Sequence, residues 1–472
     1  MKAPLVFLTL TSALLADDWP MWGGTPTRNM VGTAENLPSE IQSGEVDPET
    51  EAVDLSEAQN ILWASKLGSQ TYGNTTVANG LVYVGTNNES PRDPKQTGDR
   101  GVLMVFDEKT GEFRWQLVIP KLGAGKVSDW EYVGLCSSPC IVGDKAYLVT
   151  NRGEVLCLDT AGMSNGNDGP FKDEEKYSTA DPEAPYEIGP ESADILWVYD
   201  MREELGIFPH NVSSCSPVVI DGVVYTATSN GVDWSHTNIP APLAPSLVAL
   251  DAEKGTLLGE EVSGVSERVL HASWSSAAYG KLGGENRIVW GGGDGFVFAF
   301  EPKPVMDEDE GFPVLKEIWR YDANPAEYRT HEGEPIKYAT YKGPSEVIGT
   351  TVIADDHVYA VIGQDPEHGD GLGMLSCLDA NGKPLWTYKD IGRSISTVSV
   401  LDGLVYAAEY DGDLHCIDAK TGEPYWKYET FSRVWGSTLV ADGKVFLPTE
   451  DGEVHLLATG KELEELGLYE FD

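Results

Sequence analysis

Short runs of alternating apolar and polar residues recur along the whole chain, and each is introduced by a tight-turn pair. The best examples carry an aromatic residue at the same place: NGLVYVGT, GDKAYLVT, DGVVYTAT, DDHVYAVI, DGLVYAAE and DGKVFLPT. A period of two predicts half-buried strands. The pairs Asn79-Gly80, Asp221-Gly222, Asp402-Gly403 and Asp442-Gly443 are type I′ hairpin signals, because Asn, Asp and Gly tolerate positive φ.

Each run belongs to a longer unit of four strands. A second turn pair follows it, then a strand ending in Asp, such as VLMVFD or DLHCID, and then a strand carrying Trp, such as EIWRYD or PLWTYK. Where loops are short the unit recurs at about forty residues, which is typical of a β-propeller built of four-stranded antiparallel blades. We therefore predict an all-β fold with seven full units, which start near Thr71, Cys136, Ser214, Trp274, Ile348, Ile395 and Trp435.

An additional Trp-bearing segment, NILWASKLG, precedes the first unit. We expect it to complete a blade made mostly from the other end of the chain and so to close the ring. The final residues, LGLYEFD, are themselves a candidate fourth strand. The pattern therefore leaves two alternatives open, seven blades with one strand left over or an incomplete eighth blade.

One phrase is written twice almost unchanged, FDEKTGEFRWQLV at 106–118 and IDAKTGEPYWKYE at 417–429. Its Asp and Thr-Gly are suited to the turn between the third and fourth strands, since short polar side chains bond back to the backbone and Gly takes the left-handed position. Its Trp offers a large area to bury and an N–H that needs an acceptor. We expect this Trp to pack on the adjacent blade at every seam.

These residues resemble the tryptophan-docking motif of the pyrroloquinoline quinone (PQQ) repeat superfamily. The resemblance rests on Asp107, Thr110, Gly111 and Trp115, on Asp418, Thr421, Gly422 and Trp426, and on degenerate copies at Asp379-Gly382-Trp386, Asp159…Trp197 and Glu301…Trp319. In the unit at Asp251-Gly255 the Trp is replaced by Gly259. The resemblance covers nearly all of the mature chain and implies an eight-bladed propeller.

For function, the resemblance divides into two branches. One branch holds PQQ-dependent alcohol and sugar dehydrogenases, and the other is non-catalytic, such as the propeller of the outer-membrane assembly machinery. This chain lacks the vicinal Cys-Cys pair that covers the quinone in the alcohol enzymes, and it lacks a Cys-x-x-Cys-His haem motif. We therefore expect a non-catalytic binding or scaffolding protein. The alternative is a PQQ-dependent oxidoreductase with the quinone and calcium in the central channel.

The N-terminus predicts export. One Lys, a short apolar run and Ala16 before an Asp pair are typical of a secretory signal peptide over residues 1–16, and no lipid-anchor Cys follows. The run is too short to span a membrane. We expect an N-terminal extension at 17–60, a propeller at 61–472, and a mature protein in the periplasm or outside the cell.

Charge narrows the choice of partners. Asp and Glu outnumber Lys and Arg by 76 to 33, and the formal net charge is −43. Such a surface repels nucleic acid and anionic membranes, so the expected partners are proteins or a small planar acidic ligand. Six cysteines are too few for a disulfide scaffold; we expect Cys157, Cys377 and Cys416 to be core residues, with a Cys136–Cys215 bridge as a less favoured alternative.

The first strands of a propeller line its central channel, which locates a candidate ligand site. Aligning the units places Tyr72, Trp274 and Trp435 at one level and predicts that aromatic rings stack there on a flat ligand. Just upstream in their units lie His271, Glu346, Arg393 and Arg433, and the two arginines suit the carboxylates of a quinone or another planar acid. The alternative is a polar channel mouth whose arginines are neutralised by nearby acids. His415 and His455 share one slot in consecutive units and are expected to pack between blades.

Overall fold

The computed structural model describes residues 18–50, 52–179, 186–340, 343–366 and 372–471. The predicted signal peptide at 1–16 lies outside these ranges. The described residues contain seven sheets in which four strands pair antiparallel in chain order. These are the blades of the predicted propeller, numbered 1 to 7 below.

The strands of each blade follow the repeat read from the sequence. Blade 1 comprises Thr76–Ala78, Leu81–Asn87, Arg100–Asp107 and Phe113–Pro120. Blade 2 comprises Cys140–Val142, Lys145–Val149, Glu154–Asp159 and Asp194–Asp200. Blade 3 comprises Val218–Ile220, Val223–Ala227, Leu247–Asp251 and Leu257–Glu260. Blade 4 comprises Ala278–Leu282, Glu285–Gly291, Phe296–Phe300 and Glu317–Asp322.

The remaining blades are shorter and less interrupted. Blade 5 comprises Val352–Ala354, His357–Ile362, Met374–Leu378 and Pro384–Tyr388. Blade 6 comprises Ser399–Leu401, Leu404–Ala408, Asp413–Asp418 and Pro424–Glu429. Blade 7 comprises Leu439–Ala441, Lys444–Pro448, Glu453–Ala458 and Glu465–Glu470.

Other elements of the described chain lie in the connections. Blade 3 is extended at its outer edge by Pro313–Val314 and Val305–Met306. Two small hairpins pair Glu45–Val46 with Val53–Asp54 and Thr330–His331 with Glu334–Pro335. Short α-helices span Glu174–Tyr177, Met201–Leu205 and Val265–Arg268, and 3₁₀ turns span Gly125–Val127, Gly162–Ser164 and Ala326–Tyr328. None of the helices in the described residues has the length and apolar character to cross a bilayer.

The hairpin turns have the backbone that the sequence predicts. At Asp402-Gly403 φ is 50° and 76°, and at Asp442-Gly443 it is 51° and 67°. Both central residues of a type I′ turn need positive φ, so these pairs are confirmed as the turns between the first and second strands.

Tryptophans join the blades as predicted. Trp115 of blade 1 donates its indole N–H to the carbonyl of Thr160 in blade 2, at 2.9 Å. The same bond, at 2.9 to 3.1 Å, is made by Trp197 to Ala252, Trp319 to Ala380, Trp386 to Ala419 and Trp426 to Gly460. The seam between blades 3 and 4 lacks this indole bond, because Gly259 holds the position of the tryptophan and lies against Pro304. There the hydroxyl of Tyr225 donates to the Pro302 carbonyl.

The described residues form seven blades, which agrees with the first of the two alternatives, but the expectation that the segment at 61–69 completes a blade is wrong. The fourth strand of blade 7 is Glu465–Glu470, so the segment at 61–69 completes no blade and is not a strand. Its Trp63 nevertheless docks on blade 1, donating to the Glu108 carbonyl at 2.8 Å. Tyr469 of blade 7 bonds the Pro38 carbonyl. Pro38 and Trp63 therefore lie at the outer edges of blades 7 and 1, and the seven blades of the described residues surround the channel.

Residues 18–37 cross one end of the channel, and we call them the N-terminal strap. Along the strap, backbone or side-chain hydrogen bonds reach the first strand of each blade region in turn. They join Trp19 to Val77, Pro20 to Ile141, Arg28 to Ser216 and Ala277, Thr27 to Ile353, Asn29 to Val400, and Met30 to Val440. The strap thus ties all seven blades together at this end.

All six cysteines are buried and free, as expected for core residues. Cys157, Cys377 and Cys416 each face a tyrosine across the second and third strands of their blades. The alternative of a Cys136–Cys215 bridge is wrong, because Cys215 lies among the polar atoms of Ser229, Ser273 and Trp274 instead.

Candidate functional site

A cavity of about 450 Å³ occupies the channel. Its girdle is a ring of small polar residues that hold one repeat position in all seven blades: Asn74, Ser138, Ser216, Ser276, Thr350, Thr397 and Ser437. Several bond directly from blade to blade, with the Ser138 amide donating to the Ser216 hydroxyl at 3.0 Å and the Thr350 amide donating to the Thr397 hydroxyl at 3.0 Å. The ring therefore closes the seams and also presents hydroxyl and amide groups to the cavity.

Five aromatic side chains line the same cavity: Trp22, Tyr72, Trp130, Trp274 and Trp435. Trp22 comes from the strap and donates its N–H to the Thr350 hydroxyl at 3.0 Å. Tyr72 and Trp435 meet edge to face at 6.5 Å and remain 50% and 43% exposed. The structure thus brings together the three aromatic residues that the repeat alignment placed at one level, Tyr72, Trp274 and Trp435.

The charge of the lining is negative. Glu131 and Asp365 contribute carboxylates, and no Lys or Arg is among the lining residues that the structure describes. Carboxylates beside aromatic faces attract cations and accept hydrogen bonds from neutral donors.

The two candidate arginines lie elsewhere. The Arg393 guanidinium is buried over the ring of Tyr410, 4.3 Å from its centroid, and faces Asp411 at 3.5 Å. Arg433 lies over the same ring at 5.6 Å and 3.9 Å from Glu450, with 60% of its side chain exposed. The pair therefore flanks Tyr410, and both members face acids.

His271 and Glu346 meet behind the cavity wall. The ring of His271 contacts Trp274 edge to face at 4.9 Å. Glu346 is fully buried and accepts the amide N–H of Ala272 at 3.1 Å. Burial raises the pKa of the Glu346 carboxyl well above its usual range.

Two further histidines, which the sequence reading did not select, complete this region. His210 and His236 lie beside His271, with ring centroids 4.4 and 5.0 Å from it. Three sequence-distant segments carry the three rings, so spacing gives no motif. One signal in the sequence was available. His210 and His271 lie at nearly the same distance before the first strands of their units.

The other repeat histidines pack between blades, as expected. His415 lies between the Tyr388 hydroxyl of the preceding blade, 3.0 Å from its Nδ1, and the Glu409 carboxylate, which accepts from its Nε2 at 2.6 Å. His455 repeats this with Tyr428 at 3.0 Å. Each of these two rings is thus bonded to its own tyrosine.

Comparison with protein-family models matches residues 46–163 and 371–463 to the family described as outer membrane protein assembly factor BamB. The matched parts contain the two near-complete docking motifs. In these two ranges the repeats are PQQ-like propeller repeats. No curated protein matches the sequence.

Similar solved structures include BamB from Moraxella catarrhalis, with 14% identity, a TM-score of 0.49, and coverage of 85% of this chain and 86% of that one. A europium-containing methanol dehydrogenase has 12% identity and a TM-score of 0.44 over 93% and 89% of the two chains. A quinohemoprotein alcohol dehydrogenase from Comamonas testosteroni has 14% identity and a TM-score of 0.45 over 93% and 76%. Likenesses at this level carry no functional argument.

Proposed function

We propose that this chain, which belongs to the PQQ-like β-propeller superfamily, is an exported, non-catalytic binding protein that recognises its ligand in the central cavity. The ligand is uncharged or cationic and has a flat or apolar face. This ligand is a small molecule or a segment of a partner protein. The observation that carries the proposal is the lining itself: aromatic rings, a girdle of hydroxyls and amides, and two carboxylates.

The parts of the lining have complementary uses. Rings at Tyr72 and Trp435 are exposed enough to stack on a ligand at the rim. The Ser and Thr hydroxyls below them offer both donors and acceptors, which fix the orientation of a polar group. Glu131 and Asp365 add acceptors for ammonium or hydroxyl hydrogens.

The quinone alternative fits this lining poorly. PQQ carries carboxylate groups, which need Arg or Lys at hydrogen-bond distance. Arg393 and Arg433 lie around Tyr410 and face Asp411 and Glu450. A chain of net charge −43 further disfavours an anionic guest. We therefore derive no oxidoreductase step for the cavity; the role of the two arginines as cofactor ligands stays a prediction.

The experiment is isothermal titration of the mature chain with defined probes: PQQ with and without Ca²⁺, a quaternary ammonium (choline) and a neutral disaccharide (cellobiose). We expect no saturable PQQ binding, and we expect binding of choline or cellobiose that Trp435→Ala weakens at least about tenfold, as loss of a stacking ring does. Trp234→Ala is the matched control. Trp234 lies on the insertion at 232–245, between the second and third strands of blade 3, is 67% exposed and does not line the cavity.

Three outcomes would contradict the proposal. Calcium-dependent PQQ binding that Arg393→Ala and Trp435→Ala both weaken would favour the oxidoreductase. Binding of either other probe with equal affinity in Trp435→Ala and Trp234→Ala would show that the cavity is not the recognition site. Finding no heat with any probe would count against a ligand of this chemistry.

A further inference from the structure

The geometry points to a transition-metal site formed by His210, His236 and His271. Each residue offers one ring nitrogen, and the three nitrogens all lie within 4.8 Å of one another. The chain has only eight histidines, and three of them converge here from separate connections. This site is independent of the ligand proposed for the cavity.

Backbone bonds fix the three segments that carry the histidines. The His210 amide donates to the Ser229 carbonyl at 3.1 Å, and the Val232 amide donates to the His271 carbonyl at 2.9 Å. Gly231 forms a bridge with Ala272, and a Cβ on this glycine would meet the His271 carbonyl at 2.4 Å. The segment after blade 3's second strand therefore lies directly between the other two.

The ring of His210 is oriented by a partner outside the cluster. Its Nδ1 lies 2.5 Å from the Val232 carbonyl, which can only accept, so Nδ1 carries the proton. The neutral ring then offers Nε2 as a ligand atom. Metal-binding histidines commonly donate their other ring N–H to a backbone carbonyl in this way, which fixes the tautomer and the ring plane.

His236 is presented by a tight turn with an uncommon backbone. Its φ is 55°, in the left-handed region that few residues other than glycine adopt. Asp233 holds the turn, accepting the Ser235 amide at 2.9 Å and the Asn238 side-chain amide at 2.8 Å. This turn places the His236 imidazole beside the rings of His210 and His271.

Three imidazoles define the class of metal. Neutral ring nitrogens suit Zn²⁺, Cu²⁺, Ni²⁺ and Co²⁺, whereas Ca²⁺ and Mg²⁺ prefer oxygen. In a tetrahedral zinc site the ligand nitrogens lie about 3.3 Å apart, given Zn–N bonds of about 2.0 Å. Small rotations of the rings bring atoms within 4.8 Å to that separation. The fourth position is left for water or an exogenous ligand, as in a three-histidine zinc site.

The blade-packing histidines show the contrast. His415 and His455 each bond a tyrosine hydroxyl and a carboxylate. The rings of the cluster face one another, with His210 and His236 centroids 5.1 Å apart. One ring per blade serves packing, whereas three rings around one point are arranged as ligands.

The test is titration of the untagged mature chain with Zn²⁺ in excess Ca²⁺, which occupies the many surface carboxylates. We expect one Zn²⁺ per chain, with affinity reduced about 100-fold in His236→Ala, since even residues that only support a ligand are worth about 10- to 100-fold. His331→Ala is the control, because His331 is an exposed histidine on a separate hairpin and its loss should change affinity less than about twofold.

Because His236 lies on an insertion turn, the His236→Ala variant should fold, and its melting curve checks this. Electron paramagnetic resonance of the Cu²⁺-loaded chain supplies a second readout: nitrogen hyperfine structure in the wild type and in His331→Ala, and fewer nitrogen couplings in His236→Ala. Equal Zn²⁺ affinity in the two variants, or an oxygen-only Cu²⁺ spectrum, would overturn the assignment in favour of surface carboxylates.

Discussion

The indole of Trp386 in blade 5 lies against the α-carbon of Gly422 in blade 6, where a Cβ would stand 2.7 Å from the ring. The same ring donates to the Ala419 carbonyl at 2.9 Å. Trp63 and Gly111, Trp197 and Gly255, and Trp319 and Gly382 meet in the same way. The glycine therefore makes its own turn and also contacts the tryptophan of the preceding blade or, at Gly111, Trp63 of the segment at 61–69.

The first prediction separates these two roles. Gly422 and Gly403 both have φ of 76°, but a Cβ at Gly403 would meet nothing within 4 Å. Gly403→Ala should therefore lower the free energy of unfolding only by the strain of an alanine in the left-handed region, about 1–2 kcal/mol. Gly422→Ala should lower the free energy of unfolding by about 2–4 kcal/mol, because Trp386 must also move. Urea midpoints followed by circular dichroism measure the difference, and equal losses would show that the indole yields without cost.

Much of the fold could be predicted because each blade repeats the same local physics. Hairpin pairs such as Asp402-Gly403, period-two strands and the docking Trp are all local signals. Ring closure could not be predicted from them, since the placement of Trp63 and the strap depends on contacts far along the chain. Tyr469 bonding Pro38 is one such contact.

The candidate site was predictable only where it follows the repeat. Tyr72, Trp274 and Trp435 share one phase and line one cavity. Arg393 and Arg433 also hold equivalent positions in their units, but their side chains lie over the ring of Tyr410 and do not line the cavity. The histidine cluster depends on an insertion, whose path no repeat dictates.

The second prediction concerns the strap. Arg28 is fully buried and donates to the carbonyls of Trp22, Ser216, Pro217 and Ala277 at 2.6 to 3.1 Å. Burial lowers its pKa to about 10, so it remains charged at neutral pH. Arg28→Met should leave buried carbonyls unpaired and cost about 3–5 kcal/mol.

Limited proteolysis followed by mass spectrometry measures the local effect, since a released strap should be cleaved near residue 30 before the blades are. Arg287→Met is the control, because the hydrogen bond that Arg287 makes with the described residues goes to the exposed Asn286 carbonyl. Equal protection of the strap in both variants would contradict its anchoring by Arg28.

The third prediction compares two equivalent tyrosines. The Tyr388 hydroxyl is buried against His415, whereas Tyr428 makes the same 3.0 Å contact with His455 near the surface. Tyr388→Phe should cost about 1–2 kcal/mol, because a buried ring nitrogen loses its partner. Tyr428→Phe should cost about 0.5 kcal/mol, since water replaces the hydroxyl. Chemical denaturation measures both; a larger loss for Tyr428→Phe would contradict the argument from burial.

The last prediction concerns pH. Burial raises the pKa of the Glu261 carboxyl to about 7, although it accepts the amides of Ser246 and Ser263 at 2.9 and 2.7 Å. The groups facing it include Asp294, which raises the pKa, and Arg268, which lowers it. Burial likewise raises the pKa of Asp294 to about 6 despite its 2.8 Å ion pair with Arg268.

Between about pH 4.5 and 7 the folded chain therefore binds more protons than the unfolded chain at Glu261, and this contribution to stability falls as pH rises. At about 1.36 kcal/mol per pKa unit, the loss approaches roughly 3 kcal/mol. Glu261→Gln does not titrate, so its unfolding free energy should fall less over this window than that of the wild type. Glu423→Gln, at an exposed turn, should keep the wild-type slope. Urea denaturation at pH 5, 6 and 7.5 measures the slopes, and parallel curves for wild type and Glu261→Gln would show that Glu261 stays ionised in the folded chain.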